Sequence, residues 1–254
     1  MQLGVCASPE NVPWIKDAGA DYLEANVQTV LAPMDKARRP PDPAALALPI
    51  AAYNCFLPGD LRVTGPDVDL GRLLAYGRRA FERAGRMGST IIVFGSGDAR
   101  RIPDGWPRAR AEEQFIEALR LLGPLAHSSG IVLALEPLRQ AETNFINTFA
   151  EGLGILRRAA APGVAMLVDL YHLAAENEPL AHLDEARGLL VHVHLAEPDG
   201  RGPPGPGKSD FRPFLAELKS LGYDARLSLE CGWKDVRTEL GPALDFLRDQ
   251  WSRA

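Results

Sequence analysis

The chain has 254 residues, 46% of them hydrophobic and 24% charged, with a formal net charge of −5; it is too apolar for intrinsic disorder and too acidic for a surface built to neutralise phosphates. Short basic runs, Lys36-Ala37-Arg38-Arg39 and Arg100-Arg101, are flanked by acidic or proline-rich stretches and read as solvated faces, so no nucleic-acid partner is expected. No basic leader precedes an apolar run of about 7 to 15 residues, no stretch of about 18 apolar residues occurs, and three cysteines without CxxC spacing suit a reducing cytosol, so a cytoplasmic protein with no membrane partner is expected.

From the start of the chain, short β-branched or apolar runs alternate with longer stretches of helical periodicity, the pattern of repeated βαβ units around a parallel sheet. The predicted strands are residues 2–6, 21–26, 50–54, 90–95, 131–136, 164–169, 190–194 and 226–230. A helical stretch is expected after each. One such stretch carries Phe115, Leu119, Leu122 and Ala126 on one stripe, and the last carries Val236, Leu240, Leu244, Leu247 and Trp251, at the steps of three and four that define a buried helix face. Segments 40–43 and 202–207 have turn composition but are too short to be interdomain linkers. Eight such rounds predict a (β/α)₈ barrel, an α/β fold, as a single domain over residues 1–254, since this architecture takes about 250 residues.

Side chains alternate in direction along a strand, so a barrel strand has one face inside and one under the helices. In the fifth predicted strand Ile131, Leu133 and Leu135 share one parity while Val132, Ala134 and Glu136 share the other. The sixth sets Val164, Met166 and Val168 against Ala165, Leu167 and Asp169. The seventh sets Val191 and Val193 against His192 and His194, and the eighth sets Leu227 and Leu229 against Arg226, Ser228 and Glu230. The apolar set faces the helices in each strand. The last inward residue is a potential metal ligand in each strand.

Barrel enzymes assemble their chemistry at the C-terminal mouth, where Glu136, Asp169, His194 and Glu230 would converge. Three carboxylates and an imidazole suit one divalent metal ion, Mn²⁺ before Mg²⁺, Co²⁺ or Zn²⁺. His194 lies nearer the mouth than His192 and is assigned to coordination; His192 is read as a packed polar residue behind it. His172, three residues after Asp169 in the following loop, could reach a substrate oxygen or be a plain loop histidine. Glu24 and Asn54 are read as the last inward polar residues of strands two and three; each is a candidate substrate contact, with a structural role as Glu24's alternative. Trp14, Phe56, Trp106 and Trp233 lie in or near mouth-side loops, where packing is the commoner role. Gly95-Ser96-Gly97 is a short glycine loop and weak evidence for a phosphate.

The segments "LALEPL", "MLVDLYHLAAEN", "VHVHLAEPDGRGPPGPGKSDF" and "LSLECGW", with "NCFLPGDL" and "GSGDARRIPDG" earlier, resemble the xylose isomerase-like superfamily of sugar isomerases and epimerases, in the branch of ketose 3-epimerases, hydroxypyruvate isomerase and inosose dehydratase. The resemblance implies a metal, commonly Mn²⁺, on Glu136, Asp169, His194 and Glu230. It also implies substrate oxygens bound by His172 and by an arginine soon after the metal histidine, for which Arg201 is the nearest candidate. In the epimerases so resembled, the two metal-bound glutamates remove and return the proton on opposite faces of the substrate, which implies those catalytic roles for Glu136 and Glu230. The expected activity is a divalent-metal-dependent isomerase or epimerase of carbohydrate metabolism acting on a small-molecule ketose or related α-hydroxy carbonyl through an enediolate.

An inosose dehydratase-like lyase would use the same metal site and is the main alternative. An endonuclease IV-like nuclease would need further histidines from strands three and four, which end here in Asn54 and Gly95. A non-catalytic sugar-binding barrel is the remaining class. The sugar, its phosphorylation and any homo-oligomer are left open by the sequence.

Overall fold

Each strand pairs in parallel with the next and the last pairs with the first, closing an eight-stranded barrel in the computed structural model, which describes residues 1–207 and 209–254. The strands are β1 (Gln2–Cys6), β2 (Tyr22–Asn26), β3 (Ile50–Asn54), β4 (Ile91–Phe94), β5 (Val132–Leu135), β6 (Val164–Asp169), β7 (Leu190–Leu195) and β8 (Arg226–Leu229). They agree with the predicted strands to within a residue at each end. Around them lie α1 (Val12–Asp17), α2 (Leu70–Arg86), α3 (Gly97–Arg100), α4 (Arg108–Ser128), α5 (Phe149–Ala159), α6 (Leu170–Ala175), α7 (Arg212–Ser220) and α8 (Val236–Arg253). The fold is a TIM barrel.

The helices form where the apolar stripe and the caps coincide. In α4 Phe115, Leu119, Leu122 and Ala126 are all fully buried, and such burial contributes roughly 1.5–3 kcal/mol for each large side chain. Thr148 caps α5 by accepting from the Glu151 amide while Glu151 reaches back, which satisfies amides that have no partner inside the helix. Leu240, Leu244 and Leu247 of α8 are buried, with Val236 and Trp251 half-buried at the ends of the stripe.

The expected helix between β2 and β3 is absent. That connection holds only a five-residue π turn, Val27–Leu31, and a three-residue 3₁₀ turn, Pro43–Ala45. Pro33, Pro40, Pro41, Pro43 and Pro49 remove amide donors and restrict the residues before them, so a continuous helix cannot form.

Two apolar layers follow from strand parity. The small inner layer joins Ala52, Ile91, Val93, Ala134 and Leu167. The larger outer layer contains Leu133, Leu135, Met166, Val168, Val193, Leu227 and Leu229 packed on the helices. Val191 departs from expectation by packing against the inner layer. The register between β6 and β7 shifts there, from Met166 opposite Leu190 to Leu167 opposite His192. An extra residue in a ladder re-aims side chains locally. A second shift, between Leu23 and Glu24 on β2, precedes the most deeply buried acid of the barrel.

Candidate metal centre

Glu136 directly follows β5, Asp169 ends β6, His194 lies in β7 and Glu230 directly follows β8. One ligand atom from each lies within 4.8 Å of the others. Glu136, Asp169 and His194 are buried, and the Glu230 side chain is 23% exposed toward a cleft. That cleft has a volume of about 650 Å³ and is lined by Glu136 and Glu230 together with Asn54, Glu142, His172 and Arg201.

The ring of His194 is held at both nitrogens. Nδ1 faces Glu136 Oε1 at 3.2 Å and Glu230 Oε2 at 3.3 Å, and Nε2 lies 2.9 Å from Glu24 Oε1. Asp169 spends Oδ1 on the Tyr171 amide at 2.9 Å, which leaves Oδ2 facing Arg201 Nη2 at 3.2 Å and His172 Nε2 at 3.5 Å. Arg201 Nη2 also contacts Glu230 Oε2.

Charge in this small volume is unbalanced without a cation. Burial and the neighbouring Glu136 and Glu230 charges push the Asp169 carboxyl up to about 7. Burial also raises Glu136, more than contact with His194 lowers it. Burial acts upward on Glu230 too, but the charges of His194 and Arg201 outweigh it and hold that carboxyl at about 2. Burial alone would lower His194, yet Glu24 and Glu230 raise it well above the ordinary imidazole range. With no metal bound, Glu24 and Glu230 favour a protonated His194 ring, which with the guanidinium of Arg201 sets positive charge against the carboxylate cluster. A donor set of three carboxylates and one imidazole that draws in cations in this way fits a divalent metal.

His172 is not on a loop: it lies in α6 and is 2% exposed. Its Nδ1 accepts from the Arg139 amide at 3.4 Å, and its buried Nε2 has no hydrogen-bond partner. Burial and Arg201 depress its pKa to about 3. A neutral ring that accepts at Nδ1 carries its proton on Nε2, leaving a donor free for an oxygen in the cleft.

Arg201 is brought into the site despite the length of its loop, at φ 53°. Its carbonyl accepts from the Gly232 amide and its ring-side neighbour is Tyr171, 4.8 Å from the guanidinium carbon. Asn54 lines the cleft and donates from Nδ2 to Glu230 Oε1 at 3.3 Å. Glu24 differs from its expectation as a substrate contact. It is fully buried, with one oxygen on His194 and the other on His192 and Ser228, so no part of it is left for a ligand in the main cleft. The mouth-side aromatics do not line that cleft: Phe56 is fully buried, Trp106 bonds Gln114, and Trp14 lies under Arg237. Gly95-Ser96-Gly97 leads into a helix of only four residues.

Four residues near the centre carried no signal that strand parity could use. Glu142 lines the cleft and bonds Arg139 Nε at 3.0 Å, with Arg201 Nη1 at 3.5 Å. Arg100, fully buried, donates to the Glu136 carbonyl at 2.8 Å and to that of Ile146 at 3.1 Å. Gly95 leaves room for Glu136: a Cβ there would meet Glu136 Oε2, and that carboxylate would have to shift. Glu197 ties the loop that carries Arg201: its amide donates to the Gly202 carbonyl at 2.9 Å, and its carboxylate accepts from the Gly205 amide at 3.1 Å and from Ser209. Lys208 of the same motif lies outside the described residues.

A family model described as a xylose isomerase-like TIM barrel matches residues 12–250. The chain is 30% identical over 156 residues to L-ribulose 3-epimerase of Methylomonas sp. (strain DH-1), covering 54% of each protein. It is 33% identical over 115 residues to 3-dehydro-D-guloside 4-epimerase of Escherichia coli (strain K12), covering 45% of this chain and 44% of that one. These matches span about half the length of the curated relatives. The crystal structure of 3-keto-D-glucoside 4-epimerase from E. coli, in its apo form, superposes with a TM-score of 0.80 at 26% identity, over 98% of this chain and 99% of that one.

Proposed function

This chain belongs to the xylose isomerase-like TIM-barrel family, and on that premise we propose that it is a divalent-metal-dependent sugar isomerase or epimerase acting on a ketose or related α-hydroxy carbonyl. The observation that carries the proposal is the convergence of Glu136, Asp169, His194 and Glu230, from four consecutive strands, within 4.8 Å of one another beside an open cleft. Relatives named as ketose and keto-glycoside epimerases support the substrate class.

These four residues would hold the metal, with Mn²⁺ preferred over Mg²⁺, Co²⁺ or Zn²⁺ for a mostly oxygen donor set. When bound, the ion polarises the substrate carbonyl and offsets the negative charge that develops on its oxygen. Glu136 or Glu230 removes the proton from the carbon next to the carbonyl, giving an enediolate. The other glutamate returns a proton to the opposite face of that carbon for epimerisation; delivery to the neighbouring carbon gives isomerisation instead. His172 donates from Nε2 to a substrate oxygen and Arg201 binds a second one, while Asn54 steadies Glu230. The three thiols, all free, suit a reducing cytosol.

A panel of ketoses and inososes incubated with the Mn²⁺-supplemented protein in deuterated water tests the proposal. Unchanged molecular composition with deuterium entering at the reacting carbon is the expected result. Loss of water from the substrate would instead assign a dehydratase and sink the isomerase reading.

A further inference from the structure

Given the metal centre proposed above, we infer that Glu24 is its positioning carboxylate: by accepting the Nε2 proton of His194, it turns Nδ1 toward the three ligand carboxylates and leaves that nitrogen's lone pair for a divalent cation. Glu24 divides its two oxygens. Oε1 lies 2.9 Å from His194 Nε2, and Oε2 accepts from His192 Nε2 at 2.7 Å and from Ser228 Oγ at 2.6 Å. Ser228 Oγ is in turn 2.8 Å from the Tyr22 hydroxyl. All five side chains are at most 1% exposed. A carboxylate so buried is stable only if donors satisfy it, and here three do.

The consequence for His194 follows from the chemistry of imidazole. A neutral ring has one N–H; if Nε2 donates it to Glu24, Nδ1 is bare, and Nδ1 is the nitrogen 3.2 Å and 3.3 Å from Glu136 and Glu230. A carboxylate on the far nitrogen also fixes the ring plane and raises the basicity of the ligating nitrogen. The same carboxylate sorts the two histidines of β7. His192 gives its Nε2 proton to Glu24, and its buried Nδ1 has no partner, so it acts as a donor beneath the centre while His194 is left to coordinate.

Two measurements test this without relying on turnover. In the wild-type protein loaded with Zn²⁺, ¹⁵N chemical shifts of the histidine rings should show His194 protonated at Nε2 and bound through Nδ1; binding through Nε2 would overturn the inference. In the absence of sugar, Mn²⁺ affinity read from the free-ion paramagnetic resonance signal should weaken about 10- to 100-fold in Glu24→Gln. On top of His194→Gln, the same change should weaken it less than about twofold further, because Glu24 acts through that ring. A residue that only touched substrate, or only supported the fold, would leave Mn²⁺ affinity unchanged or give additive losses, and either result would overturn the inference. Tight Mn²⁺ binding unaffected by Glu24→Gln would remove the role of Glu24 alone, whereas no binding by the wild type would remove the metal centre itself. If Glu24→Gln does not fold, the ring shifts of the wild type still decide.

Discussion

The two halves of the barrel serve the same mouth in different ways. Glu136, Asp169, His194 and Glu230 sit at or just past the mouth ends of strands β5 to β8, with their polar atoms facing each other. Strands β1 to β4 contribute support and space: Glu24 beneath His194, Asn54 on Glu230, and Gly95 where any side chain would strike Glu136. A site therefore needs more than its donors. The far wall has to orient them and leave room, and removing a functional group from one half should act differently from disturbing the other.

The largest effect belongs to the proton carriers of the second half. Glu136→Gln and Glu230→Gln should each lower kcat by on the order of 10²–10⁴, the range of general acid–base catalysis. Steady-state rates at saturating Mn²⁺ check this, and near-normal turnover in either would assign the proton step elsewhere. Next is the space supplied by the first half. Gly95→Ala should lower kcat on the order of 100-fold, since a displacement of about 1 Å at a reacting group can cost that much; unchanged kinetics would show that Glu136 has another rotamer in which to work.

The difference is also readable in pH. Metal binding requires the ionised carboxylate, and burial with the Glu136 and Glu230 charges pushes Asp169 up to about 7. The proton and the metal compete for it, so affinity is highest above that value and falls as pH drops through it. Because the proton favoured on the His194 ring must be displaced as well, titration calorimetry should find Mn²⁺ binding weakening by at least about tenfold for each pH unit below the Asp169 value. Affinity that is flat between pH 5 and 7 would remove Asp169 from the centre. A smaller effect is expected at Asn54, whose single hydrogen bond to Glu230 is long at 3.3 Å. Asn54→Ala should lower kcat/KM by about two- to tenfold, the worth of one ordinary hydrogen bond. At the bottom of the scale, Arg38→Ala and Arg39→Ala, on an exposed loop outside the main cleft, should change kcat/KM by less than about twofold.

The same division explains what the sequence revealed. The fold was legible from alternating strand and helix patterns because β5 to β8 each set large apolar residues of one parity against the helices, Val191 excepted. The four candidate ligands were legible because each sits at the mouth end of that alternation. Glu24 was placed on the correct strand and face, but its two readings, substrate contact and structural role, could not be separated, since a hydrogen bond to a residue 170 positions away leaves no local mark. Glu142 and Arg100 lie on loop or short-helix segments where no periodicity applies, and the room left by Gly95 appears only once the carboxylate of Glu136 is placed beside it. The missing helix after β2 was signalled by its prolines, which a count of helical stretches passed over. The bulge that turns Val191 inward depends on pairing with β6, and pairing register is a tertiary property.

Anomalous diffraction at the manganese edge, from crystals grown with Mn²⁺, tests the metal centre most directly. One peak bonded to Glu136, Asp169, His194 Nδ1 and Glu230 is predicted, with Arg201 withdrawn from Asp169. No peak among these four, or a peak held instead by the neighbouring Cys6, Glu24 and His194, would contradict it.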